Sequence, residues 1–284
     1  MAKYVVVAES GSDIPADLAE RYGIRIVPMH VNLGDVTLDD GKFPVTDVFD
    51  YYDRTGDVPR TSGSTPQDFI EMFDEIREQE PEAHIIYLAY SAVTTCSYES
   101  ALIASADRDY VTAIDTKSVA AGQCMVVVTV AQYLEDNPEA TLDEVKAFAD
   151  DLIERIRMAF IPGSLEFLRA GGRLSNGAYL GAQLLRIKPV VEIIDGKLIA
   201  TKKQRGSMDK CALKMVDEFL AEEKKELDTV YLIRNQGLSE DIQTAIEGRL
   251  TAANVKDFRW IETGCVIASH GGPGSCGIVA YAAK

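Results

Sequence analysis

Arg60-Thr61-Ser62-Gly63-Ser64-Thr65-Pro66 decides how the first half of this chain is read. Five of its seven side chains end in a hydroxyl or a guanidinium, and Gly63 permits a tight turn. Thr65 followed by Pro66 is an N-cap with proline at the first helical position. The apolar residues Phe69, Ile70, Met72, Phe73 and Ile76 then recur at helical spacing and predict a buried stripe. A helix therefore starts directly behind a cluster of hydroxyls and unpaired backbone N–H groups, where an anion is favoured. The same letters also describe a well-capped turn, so the neighbouring loops have to decide.

Outward from this stretch, strands and helices alternate. Residues 4–8, 24–31, 84–89 and 110–114 are predicted strands. Helices are predicted over 15–21, 46–53, 101–106, 119–134 and 141–157, with a polar connection over 32–44. Residues 84–89 are nearly all apolar, which predicts burial on both faces of a parallel sheet. Hydroxyl-rich loops follow the strands ending at Ala8, Ala89 and Ile114. In a doubly wound sheet such loops share the carboxyl edge where ligands sit. Beyond residue 158 the pattern changes to hairpins mixed with helices. Strands are expected at 159–162, 188–194, 197–201, 229–235, 257–263, 266–269 and 277–282, with a hairpin across Asp195-Gly196. Helices are expected at 164–170, 179–185, 207–221 and 239–250. The fold class that follows is α/β. An N-terminal doubly wound parallel-sheet domain (1–157) precedes a C-terminal α+β domain with a mixed sheet (158–284).

Composition narrows the function. A net charge of -16 over 284 residues and a pI near 4.6 argue against nucleic acid and against charge-driven docking on an anionic membrane. No apolar run approaches the ~20 residues of a membrane span, so no stable membrane anchor is expected. The start, Met1-Ala2-Lys3, enters a strand without signal-peptide architecture. Five cysteines, odd in number and without a CxxC pair, fit a reducing cytoplasm and offer no zinc site. A cytoplasmic location is expected, with neither metal nor cofactor.

Gly272-Pro273-Gly274-Ser275-Cys276-Gly277 matches GxGxxG by letters alone, since only seven residues follow it. No GxSxG elbow, HExxH or P-loop occurs. His270 ends an apolar run and precedes glycines that let a ligand approach the backbone. His30 and His84 fall within or beside apolar strands and read as structural. Arg173 and Arg205 lie in glycine-flanked turns, unusual places for cations in so acidic a chain, and suit an anion or a partner. Two functions from different classes remain open on these residues. One is a binding module for an anion. The other is a small acyl hydrolase or transferase using Ser62 or Ser64 with His270 as base.

Taken in order, these segments resemble the DegV family. They are Glu9-Ser10-Gly11-Ser12-Asp13, Arg60-Thr61-Ser62, the loop over 91–101, Asp115-Thr116-Lys117-Ser118, Gly171-Gly172-Arg173-Leu174-Ser175, Ile187-Lys188-Pro189 and His270 with its glycines. The resemblance covers essentially the whole chain. It implies a protein without a catalytic centre of its own. Such a protein binds a long-chain fatty acid and presents it to a separate ATP-dependent fatty acid kinase subunit for acyl phosphate formation. It implies further that Thr61, Thr95 and His270 hold the carboxylate, with Ser62 and Ser91 beside them, and that Arg173 and Arg205 face the partner or the phosphate. This chain departs from the family pattern at three points. Thr95 stands where the binding serine is usual, with Thr94 one register away; Cys96 replaces the next glycine; and Glu9 replaces the opening aspartate. Phe160, Phe167, Leu180, Leu184 and Ile187 are expected to line an acyl tunnel.

Overall fold

The computed structural model describes residues 3–222 and 225–284. The chain opens with β1 (Tyr4–Glu9), α1 (Ala16–Tyr22), β2 (Arg25–Val27), β3 (His30–Leu33) and β4 (Val36–Asp39). Next come α2 (Thr46–Thr55), β5 (Arg60–Ser62), α3 (Pro66–Gln79), β6 (His84–Ala89), α4 (Ser97–Ala104), β7 (Val111–Asp115), α5 (Ala120–Asp136) and α6 (Leu142–Arg155). The second half runs β8 (Ile156–Ile161), α7 (Leu165–Ala170), α8 (Asn176–Leu184), β9 (Ile187–Ile194), β10 (Lys197–Arg205) and α9 (Met208–Glu222). It ends with β11 (Lys225–Arg234), α10 (Glu240–Ala252), β12 (Asp257–Glu262), α11 (Cys265–Gly271) and β13 (Cys276–Ala282).

The architecture is α/β, as the alternation of elements requires. Strands β2-β1-β6-β7 form a wholly parallel sheet. Because successive side chains of a strand point to opposite faces, Val5, Val7, Ile85 and Tyr87 pack under α3 and α4. Their neighbours Val6, Ala8, Ile86 and Leu88 pack on α5. A six-stranded mixed sheet, β10-β9-β8-β13-β11-β12, builds the C-terminal part. Its hairpin turns at Asp195 (φ 49°) and Gly196 (φ 78°), the left-handed pair that a two-residue turn demands. Helix α5 is buried along most of its length because Tyr231, Val279 and Tyr281 of this second sheet cover its other side.

Three sequence expectations are corrected. Residues 24–31 are two strands, because Pro28 has no N–H to continue a ladder. β2 stays with the parallel sheet, and β3 turns away to join a three-stranded antiparallel sheet, β4-β3-β5. The connection at 32–44 contains β4, reached through Gly34 at φ +68°. Residues 266–269, expected as a strand, lie inside α11.

Candidate functional site

The parallel strands bring their carboxyl-end loops to one edge, and β5 and α11 close over it. β5 is held against β3, with Thr61 opposite Val31 and Ser62 opposite His30. The turn that follows is pinned by Ser64, whose N–H donates to Ser97 Oγ (3.0 Å) and whose hydroxyl donates to the Pro28 carbonyl (2.7 Å). Gly63 leaves room in this turn for two hydroxyls. A Cβ there would lie 2.4 Å from Thr95 Oγ1 and 2.6 Å from Ser97 Oγ.

His270 reaches the same place from the last turn of α11. Its Nε2 shares a 2.8 Å hydrogen bond with Thr61 Oγ1. Its Nδ1 has no hydrogen-bond partner among the described residues. Burial, and after it the Arg173 charge, pushes the imidazole down to about 3, so the ring is neutral at physiological pH. The ring lies against Gly171, where a Cβ would fall 2.1 Å from Nδ1.

Thr61 and His270 face a cavity of about 360 Å³ that Ser62, Thr94, Thr95 and Arg173 also line. Its other walls are apolar: Met29, Tyr90, Met158, Phe160 and Leu198. The Tyr90 backbone N–H is held by the fully buried Glu9 carboxylate, which also accepts from Tyr87 Oη and Gln123 Nε2. Burial raises the Glu9 pKa, and these donors offset part of that rise. Thr94 directs its hydroxyl to the Ser91 carbonyl (2.8 Å), whereas the Thr95 hydroxyl meets that of Ser97 (3.2 Å) and the Ser97 N–H (3.4 Å).

Not every expected residue comes to this point. Ser91 is buried and donates to the Gly196 carbonyl (2.8 Å), bracing the cavity loop against the β9–β10 turn. Arg173 lies on the cavity rim, where its guanidinium donates to the carbonyls of Thr94 (2.6 Å) and Gly171. Arg205 ends β10, exposed and outside the cavity lining. Of the five expected tunnel residues only Phe160 lines the cavity. Phe167 packs on Phe49 and Tyr52, Ile187 stands outside on β9, and Leu180 and Leu184 of α8 are exposed. Met29, Tyr90, Met158 and Leu198 escaped sequence reading because an apolar side chain facing a cavity has the same letters as one facing the core. Cys96 is exposed on the cavity wall, and the other four thiols are buried.

Among the described residues no helix is long and apolar enough to cross a membrane. No group of three or more His, Cys, Asp or Glu side chains is placed to hold a metal.

The comparisons with known proteins agree with this fold. Residues 3–283 match the family model described as "Uncharacterised protein, DegV family". A fatty acid-binding protein of Thermotoga maritima is 26% identical over 285 residues, 97% of this chain and 96% of its own. The structure of a fatty-acid-binding DegV family protein from Thermus thermophilus superposes with a TM-score of 0.85 at 30% identity. That match covers 99% of this chain and 100% of the other. The Streptococcus pneumoniae fatty acid kinase (Fak) B3 protein, solved with linoleic acid, has the same fold: TM-score 0.85 at 17% identity over the full length of both chains. A parallel sheet joined to a mixed one, a threonine–histidine pair at a mostly apolar cavity and a match running from residue 3 to residue 283 lead to one conclusion: the chain belongs to the DegV family.

Proposed function

We propose that this protein binds a long-chain fatty acid in the cytoplasm and presents its carboxylate to a separate ATP-dependent kinase for conversion to an acyl phosphate. The carrying observation is the Thr61–His270 pair at one side of an otherwise apolar cavity. A buried carboxylate needs donors, since leaving one without partners costs several kcal/mol. The Thr95 hydroxyl supplies one, and the Thr61–His270 pair another: with Nε2–H of the neutral ring donating to Thr61 Oγ1, the Thr61 hydroxyl keeps its own proton for the carboxylate. The tail needs only apolar wall, and each buried methylene contributes roughly 0.8 kcal/mol. A volume of about 360 Å³ lies in the ~300–1,000 Å³ range of small-molecule sites.

The hydrolase reading finds less support. The Ser64 hydroxyl is committed to Pro28, His270 Nε2 is engaged by Thr61, and no carboxylate among the described residues orients Nδ1. A triad needs both links.

Native mass spectrometry and titration with oleate test the proposal. Thr61→Ala and His270→Ala are each expected to weaken binding by about 1–3 kcal/mol, roughly 5- to 150-fold. Wild-type affinity in both variants would remove the carboxylate from this position. The kinase partnership rests on the family motifs and is tested at Arg205, which stands outside the cavity. Arg205→Ala should leave oleate occupancy unchanged while lowering acyl phosphate formation by the cognate kinase. Unchanged phosphorylation would free this arginine from that role.

A further inference from the structure

Helix α11 has seven residues, yet it supplies the imidazole of the site. Two carboxylates hold its beginning. Asp13 Oδ1 accepts from the Gly264 N–H and Asp40 Oδ1 from the Cys265 N–H, both at 2.8 Å. Asp13 follows β1 and Asp40 follows β4, so two separate elements converge on one helix end. Both side chains are nearly inaccessible, 7% and 5% exposed, and the Oδ2 of each has no hydrogen-bond partner among the described residues. Gly264 sits between them. A Cβ there would lie 3.1 Å from Asp40 Oδ1 and 3.2 Å from Asp13 Oδ1. Arg234, Arg259 and Glu262 are the other charged groups lining the adjoining cavity.

We propose that Asp13 and Asp40 are positioning residues for His270, fixing where α11 begins and thereby setting the ring against Thr61. Capping and dipole attraction act on the first turn. Seven residues span about 10 Å at 1.5 Å per residue, so a shift of the start is carried directly to His270. The apolar face of α11, with Val266 and Ala268 buried, holds the helix down, and at its far end the Gly271 carbonyl accepts from the Gly163 and Ser164 N–H groups. Burial raises both carboxyls, and on Asp13 the Asp40 charge adds to the effect. Two buried acids this near each other tend to retain a proton. An anchor that works through an accepting oxygen tolerates that proton, and it also tolerates asparagine.

The test is histidine NMR on the intact protein, alongside palmitate titration. His30, His84 and His270 are the three histidines, and His270→Gln assigns the third signal. In wild type the His270 ring should stay neutral from pH 8 to pH 5. In Asp13→Ala and Asp40→Ala, recorded well below their unfolding temperatures, it should begin to titrate near its ordinary value. Palmitate affinity should fall about tenfold, with His84 unmoved. Asp13→Asn and Asp40→Asn should restore both readings. If an alanine variant does not fold, Gly264→Ala takes its place, since its Cβ presses both anchors and should move the ring. Alanine variants that keep a non-titrating His270 and wild-type affinity would overturn the inference, as would asparagine variants that fold but displace the ring. The affinity arm rests on the fatty-acid reading and the ring arm does not. A wild type that ignores palmitate would therefore sink that reading and leave this inference to be decided by the ring.

Discussion

His270 carries a stability cost that depends on pH. Its folded-state value, about 3, lies below the unfolded value near 6.5, so the fold refuses a proton that the open chain accepts. Above pH 6.5 both states are neutral and nothing is lost. As pH falls below 6.5, stability drops by up to ~1.4 kcal/mol per unit until the folded ring also titrates. Wild type should therefore lose about 2 kcal/mol relative to His270→Gln between pH 6.5 and pH 5, read from urea unfolding at each pH. Glu9, Asp13 and Asp40 shift in the opposite direction, but both proteins share them, so the difference isolates the imidazole. At this scale the sequence was informative about chemistry and silent about fit. Thr61 and His270 were legible as residue types in telling places. That Gly171 is the one residue able to lie beside the ring follows only from the contact itself.

Helix starts show how far local signals reach. Thr65–Asp68 and Thr141–Glu144 are both capping boxes, readable from their spacing. They differ in what else the acid holds. Glu144 Oε2 accepts from the N–H and hydroxyl of Thr141, at 2.8 Å each. Asp68 Oδ2 accepts from the N–H and hydroxyl of Thr65, at 2.6 Å each, and also meets His30 Nε2 at 3.0 Å. Asp68→Ala should therefore cost about 0.5–1.5 kcal/mol more than Glu144→Ala in chemical unfolding; equal losses would make the His30 contact idle. Helix α11 is the opposite case. The apolar run at 265–268 is too short for a period to distinguish helix from strand. Its start is held by Asp13 and Asp40, 251 and 225 residues away from the amides they accept from, and no window along the chain contains that information. β1 and β6 were legible because a parallel strand buried on both faces is written in consecutive apolar letters.

At the scale of the molecule, packing joins what the change of pattern near residue 158 separates. The largest cluster takes Val6, Ile86 and Leu88 from the parallel sheet and Tyr231, Ile261 and Val279 from the mixed one, packed around α5. Segments 1–157 and 158–284 are therefore expected to unfold together. Calorimetry should give one transition with equal calorimetric and van't Hoff enthalpies; two resolved peaks would assign each segment its own stability. The cavity lies near this junction, with Tyr90 from one side and Phe160 and Leu198 from the other. The five thiols are distributed in a way that serves measurement. Burial holds Cys265 and Cys276 up at about 12 and pushes Cys124 higher still, while Cys96 is exposed on the wall of the cavity. A maleimide fluorophore would thus attach at one address without any engineered cysteine, and its emission would report filling of the cavity in real time.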